Sequence, residues 1–154
     1  MKDEQRKQIN LAAIKDGTVI DHIPSNVTFD VAEILNVKSI RSVISVATFL
    51  SSKKMGTKGI IKIEGKNLTQ DEVNKITIVA PDATVNIIKN YEVEKKLKVT
   101  IPKIINKVVK CSNPNCITNN EKVETIFYVM AQNPLKLKCH YCERFMNKED
   151  IILS

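Results

Sequence analysis

The sequence predicts an α+β protein: a ferredoxin-like β-α-β-β-α-β domain followed by a small, mostly β domain built on four cysteines. Three observations predict it. In the first hundred residues, β-branched runs alternate with two segments of helical period. All four cysteines fall in the last 44 residues, as two close pairs. A proline-bearing stretch, TIPKIINKV at residues 100–108, separates the two regions. At 154 residues the chain has room for one ordinary domain or two small ones. The expected division is 1–100 and 101–154.

Residues 17–23 (GTVIDHI) form a β-branched run stopped by Pro24, and read as the first strand. Residues 27–35 place Phe29, Val31, Ala32, Ile34 and Leu35 largely on one helical face, with Asn36 as the stop. Residues 42–49 alternate in part and read as the second strand. SSKKMG at 51–56 is a turn. GIIKI at 59–63 is the third strand, with Lys62 opposite in direction to Ile61 and Ile63. TQDE at 69–72 matches a capping box, in which Thr69 caps a helix and Glu72 reaches back. Val73, Ile76 and Ala80 follow at helical spacing, and Pro81 ends the element. Residues 84–88 are the fourth strand, and 91–99 a fifth, more exposed one. One face of such a sheet takes the helices and the other is free for a ligand or partner.

The cysteines are spaced Cys111-x4-Cys116, then 22 residues, then Cys139-x2-Cys142. Each close pair makes a tight knuckle, and two knuckles supply four thiolates to one tetrahedral ion at about 2.3 Å, the pattern of structural zinc. Two disulfides would need an oxidising compartment, and the amino terminus has no apolar signal core. A redox C-x2-C would leave the first pair unused. Four thiolates leave no open position for water, so the site is closed and not catalytic. A segment of about 50 residues buries little apolar surface, so the metal is its core. Strands are expected at 123–130 and 135–138, joined at Asn133–Pro134.

The formal charge is +7, from 24 Lys+Arg against 17 Asp+Glu, with only three arginines and no block of five like charges. That composition suits phosphates as point charges, or plain solvation, better than base readout. A zinc-ribbon nucleic-acid binder is the competing class; sparse arginines and aromatics weigh against it. No apolar run approaches the ~20 residues of a membrane span. Catalytic signatures are missing: no Walker loop, no G-x-G-x-x-G and no nucleophile elbow, with four glycines in all. Asp21 and His22 are neighbours on a strand and point to opposite faces, which is no triad. His22 and His140 read as structural or surface histidines.

Several strings carry a resemblance. They are Gly17-Thr18-Val19-Ile20-Asp21-His22-Ile23-Pro24, Lys62-Ile63-Glu64, Ala80-Pro81, Ala83-Thr84-Val85-Asn86 and Asn90-Tyr91-Glu92-Val93. Cys111-x4-Cys116 with Asn115 and Ile117, then Leu137-Lys138-Cys139-x-Tyr141-Cys142, complete the set. In this order, over nearly the whole chain, the sequence resembles the regulatory chains of aspartate carbamoyltransferase. The resemblance implies a non-catalytic, cytoplasmic subunit. It would bind CTP and UTP as inhibitors and ATP as activator, and so control the first committed step of pyrimidine biosynthesis. It further implies one structural Zn per chain, a regulatory homodimer, docking on the catalytic chain, and a dodecamer of two catalytic trimers and three regulatory dimers. No nucleic acid or membrane partner is implied.

Carried over by residue, the resemblance implies that Asp21 and Lys62 hold the ribose and that His22 and Lys96 face the triphosphate. Ala13, Ile14 and Tyr91 frame the base, with Val19, Ile88 and Val93 nearby. Lys58, Thr84 and Asn86 share that surface. Lys95 adjoins Lys96, and the resemblance allows either on the phosphates. Contacts expected at Leu11 and Ala12 fall in a stretch that matches the family loosely. Asn113, Asn115, Tyr141, Glu143 and Arg144 would meet the catalytic chain. The span between the cysteine pairs is about one residue short of the family's common spacing, which should alter the loop at Gln132–Pro134 and not the metal.

Overall fold

In the computed structural model, residues 13–154 are described; the contacts expected at Leu11 and Ala12 lie outside them. The described residues divide into two compact units: 13–67 with 83–98, and 68–82 with 99–154. The first helix-bearing region and the five-stranded sheet belong to one, the cysteines to the other.

The first unit runs β1 (Gly17–Ile23), α1 (Thr28–Ile34), β2 (Ile44–Ser52) and β3 (Gly56–Glu64). Between the units' crossings lies α2 (Gln70–Val79), then β4 (Thr84–Lys89) and β5 (Glu92–Lys98) return to the first unit. The sheet order is β2-β3-β1-β4-β5, antiparallel throughout. This is the split β-α-β order, with β3 inserted between β1 and β2 and a fifth strand appended. Alternation decides the faces. Ile20, Ile61 and Ile63 are fully buried on one side. Val19, Lys62 and Asn86 stand on the other, opposite one another across three strands.

Helix α1 lies against β2 and β3. Thr28 is fully buried there, and a Cβ at Gly59 would fall into its side chain, so the close approach requires glycine. Asn36 takes φ +51 just past the helix, the left-handed stop the sequence suggested. Phe29 departs from expectation: it is 68% exposed, not on the buried face with Val31 and Ala32. At about 100° per residue it precedes Val31 by some 200°, which turns it away from the sheet.

Helix α2 carries the capping box: Thr69 accepts from the Glu72 N–H (3.2 Å) and Glu72 accepts from the Thr69 N–H (3.1 Å). Contacts group this helix with residues 99–154, where Ile78 packs among Ile105, Phe127 and Leu137. That unit continues with β6 (Ile104–Asn106), β7 (Val109–Lys110), α3 (Ile117–Asn120), β8 (Ile126–Gln132), β9 (Leu135–Cys139), β10 (Phe145–Asn147) and β11 (Ile152–Leu153). A four-stranded sheet, β10-β9-β8-β6, and a two-stranded one, β11-β7, enclose a core of Phe127, Leu137, Met146 and three of the cysteines.

Candidate functional site

The open face of the five-stranded sheet is organised by register. Ser45, Lys62, Val19, Asn86 and Lys96 lie in one row across all five strands. The next row holds Asp21, Thr84 and Lys98, with Lys58 reaching Asp21. Register puts Lys96 opposite Asn86 on this face and Lys95 opposite Ile87, whose parity is that of the other face. Lys98 was not among the expected site residues; counting two from Lys96 along a strand would have found it.

Asp21 is paired with Lys58 at 2.9 Å, each side chain about one-fifth exposed. Its carboxylate also accepts the His22 N–H at 2.6 Å. Burial alone would raise its pKa, but the Lys58 ammonium, the His22 N–H and nearby positive charge outweigh this and hold the carboxyl below its ordinary value. Strict alternation, expected to separate Asp21 from His22, fails here. His22 has φ +57 at a register shift, and its Nδ1 lies 3.0 Å from the Thr84 hydroxyl, on the residue opposite Asp21. The irregularity gathers a carboxylate, an imidazole and a hydroxyl at one strand end. Lys62, Lys96 and Lys98 form no ion pair among the described residues.

Farther along the same face, Ile14, Val19 and Ile88 are buried together with Ile60 beside them. The β4–β5 turn stands next to this apolar patch. Asn90 and Tyr91 both have positive φ, +51 and +66, the form of a two-residue hairpin. The Tyr91 N–H donates to the Lys15 carbonyl (3.0 Å), and the Asn90 N–H to the Asp16 carboxylate (3.2 Å). Residues 15 and 16 therefore tie Ala13 and Ile14 to the turn that carries Tyr91. Tyr91 and Val93 are exposed, on one border of the patch.

In the second unit the four cysteine sulfurs lie within 4.8 Å of one another, Cys111 to Cys142 at 3.7 Å and Cys116 to Cys139 at 3.8 Å. Disulfides would bring sulfurs to about 2.05 Å. A regular tetrahedron of thiolates about 2.3 Å from a central ion has edges of about 3.8 Å, so the donor set fits one metal ion. Three of the four are buried. Burial pushes the Cys111 thiol up to about 12 and raises Cys139; without a cation these groups would hold their protons. Cys142 is least buried. Burial acts upward on it too, but the Arg144 N–H and Asn113 side chain bring it down to about 7. The Thr118 hydroxyl donates to the Cys116 sulfur at 3.1 Å.

The first knuckle is held by asparagines. The Asn113 side chain accepts from the Asn115 N–H (3.1 Å), and Asn119 donates to the carbonyls of Cys111 (2.9 Å) and Asn113 (2.7 Å). Asn119 was not foreseen, since a helical asparagine carries no sequence signal for this role. Among the expected interface residues, Asn115, Tyr141, Glu143 and Arg144 are exposed, while Asn113 is partly buried and engaged within its knuckle.

Two family models match in succession. One is described as aspartate carbamoyltransferase regulatory chain, allosteric domain, over residues 9–100. The other is the metal binding domain of the same chain, over residues 103–152. The chain is 54% identical over 149 residues to the aspartate carbamoyltransferase regulatory chain of Pyrococcus horikoshii, covering 96% of this chain and 98% of the relative. It is 50% identical over 149 residues to that of Pyrococcus abyssi, with the same coverage, and 45% identical over 154 residues to that of Parabacteroides distasonis, covering both completely.

Proposed function

The chain belongs to the aspartate carbamoyltransferase regulatory chains, and on that premise we propose that its open sheet face is an effector site for CTP, UTP and ATP. The chain is a non-catalytic regulatory subunit with a metal-binding unit, and its partner is the catalytic chain. The observation that carries the effector reading is the lysine–carboxylate register across the face: Lys62 and Lys96 in one row, Lys58, Asp21, Thr84 and Lys98 in the next.

Asp21 accepts from ribose hydroxyls and Lys62 donates to ribose oxygens. His22, Lys58, Lys96 and Lys98 serve the triphosphate as donors and point charges. Ile14, Val19 and Ile88 form the apolar side of the base pocket, and backbone groups near Ala13 and Tyr91 read the base edge, which lets one pocket take purine or pyrimidine. CTP and UTP inhibit and ATP activates by binding two quaternary states with different affinity. The metal is zinc, one per chain, with a structural role. Asn115, Tyr141, Glu143 and Arg144 contact the catalytic chain. No described helix is long and apolar enough to cross a membrane.

The regulatory dimer forms through the β2 edge. β2 (ISVATFLSS) carries no charge, and Val43 and Phe49 beside and within it are exposed. The other edge, β5 (EVEKKLK), is charged at five of seven positions, which discourages pairing. Three such dimers bridge two catalytic trimers in a closed symmetric assembly. The test is Lys62→Ala in the purified complex. CTP and ATP binding should each weaken roughly tenfold or more, with assembly intact. Unchanged affinity refutes the pocket.

A further inference from the structure

The outer face of the four-stranded sheet in the cysteine-bearing unit combines exposed apolar residues with lysines. Ile104, Tyr128, Lys138 and Phe145 form a row across β6, β8, β9 and β10. Ile104 is 50%, Phe145 51% and Met130, in the bulge of β8, 53% exposed. Lys136 and Lys138 sit over the Phe145 ring, at 4.8 and 5.9 Å from its centre. None of the four strands contains an acidic residue. A groove of about 440 Å³ runs beside the row, lined by Lys103, Ile104, Tyr128 and Met130 among others.

The face is continuous with the second knuckle. The Tyr128 hydroxyl lies 2.6 Å from His140 Nδ1, the two rings meet edge to face at 5.6 Å, and His140 meets Tyr141 likewise at 5.0 Å. An aromatic chain thus links the lysine-topped sheet to the exposed Tyr141. Apolar residues left half-exposed in a row, with cations and no acids, are the composition of an interface core and rim.

We propose that this face is a docking surface for an acidic segment of the catalytic chain that carries an apolar residue. The carboxylates pair with Lys103, Lys136 and Lys138, and the apolar side chain enters the groove between Ile104 and Met130. The proposal rests on the reading that the metal-bearing unit docks on the catalytic chain, and it adds a second contact beside the knuckles. Charge complementarity selects an acidic partner. The apolar groove walls are Ile104, Val129, Met130 and Ala131, with Tyr128 the one aromatic and its hydroxyl engaged by His140. Nucleic-acid platforms rely on several open aromatic faces, so a protein side chain fits this groove better than a stacked base.

The test is subunit association between the chain and its catalytic subunit, measured at low and at 0.5 M salt. Three variants are compared: Lys136→Glu with Lys138→Glu, Phe145→Ser, and Asn115→Ala as the knuckle control. Metal content and circular dichroism confirm folding. The charge reversal should weaken association roughly tenfold or more at low salt and flatten its salt dependence; Phe145→Ser should weaken it at both salts. If both face variants associate like the parent while Asn115→Ala is impaired, the proposal fails and the docking reading stands. If no variant has an effect, or no complex forms, the docking reading fails and the proposal with it. If the parent binds a single-stranded 20-mer of uridylate and the face variants do not, while subunit association is unchanged, the face serves nucleic acid and the proposal is overturned.

Discussion

Asp21 is held charged by what surrounds it, and this makes it sensitive to acid. Its pKa in the folded chain lies below the ordinary 3.8, so the folded state favours the carboxylate. The stabilisation from Lys58 and the His22 N–H is complete above the unfolded-state value and is lost as pH falls through the lower folded value. Asp21→Asn should cost about 1 kcal/mol near pH 7, as expected for a partly exposed ion pair. The deficit should shrink below about pH 4 and disappear at still lower pH. Urea titrations at several pH values check this; a deficit unchanged at pH 3 would mean that packing, not charge, is lost. Asp16 acts at the same scale. Its carboxylate holds the Asn90 N–H and so the turn bearing Tyr91. Asp16→Ala should raise the dissociation constant for CTP several-fold, roughly the loss of one charge-assisted hydrogen bond. Inorganic triphosphate, which has no base to frame, should bind unchanged, and Asp16→Asn, which keeps an acceptor, should restore CTP binding. Equal losses for both ligands would show that Asp16 only supports the fold.

At the scale of elements, helix α2 has an amphipathic period and a cap that any reader of residues 69–80 can see. The period says which face is apolar and is silent about what covers it. Ile78 packs with the cysteine-bearing unit, while Ile76, fully buried on the same helix, lies outside that cluster. Ile78→Ala should therefore destabilise that unit by about 2–4 kcal/mol, the cost of a buried aliphatic truncation. Its thermal transition should drop while the sheet's does not; a fall of the sheet alone would reverse the assignment. β1 was legible as a β-branched run stopped by Pro24, and β4 as the apolar run that follows Pro81. β6, β7, β10 and β11 are two or three residues long, too short for a period; β6 and β10 form as partners of β8 and β9, and β7 and β11 as partners of each other. The metal ligands were legible from spacing alone. The open-face residues were named by resemblance; what the sequence lacked was the bend at His22, a left-handed residue that no composition rule announces.

At the scale of the whole molecule, the two units depend on different forces. Ile20, Ile61 and Ile63 give the sheet a buried apolar layer independent of metal. In the other unit three cysteines are part of the core itself, so removing the ion leaves buried thiols where the knuckles met. Chelation should unfold residues 99–154, and helix α2 with them, because Ile78 loses the core it packs in. None of the proposed effector residues lies in 68–82 or 99–154. Nucleotide binding should therefore survive chelation while the complex with the catalytic chain falls apart. Amide hydrogen exchange separates the possibilities. Protection should collapse in 70–79 together with β8 and β9, and persist in β1, β3 and β4. Protection retained in 70–79 would mean that the helix draws its stability from its capping box and own length, which for ten residues in water is insufficient, or from the sheet. Protection lost everywhere would mean that the ion stabilises one cooperative unit, and effector affinity should then vanish with the metal.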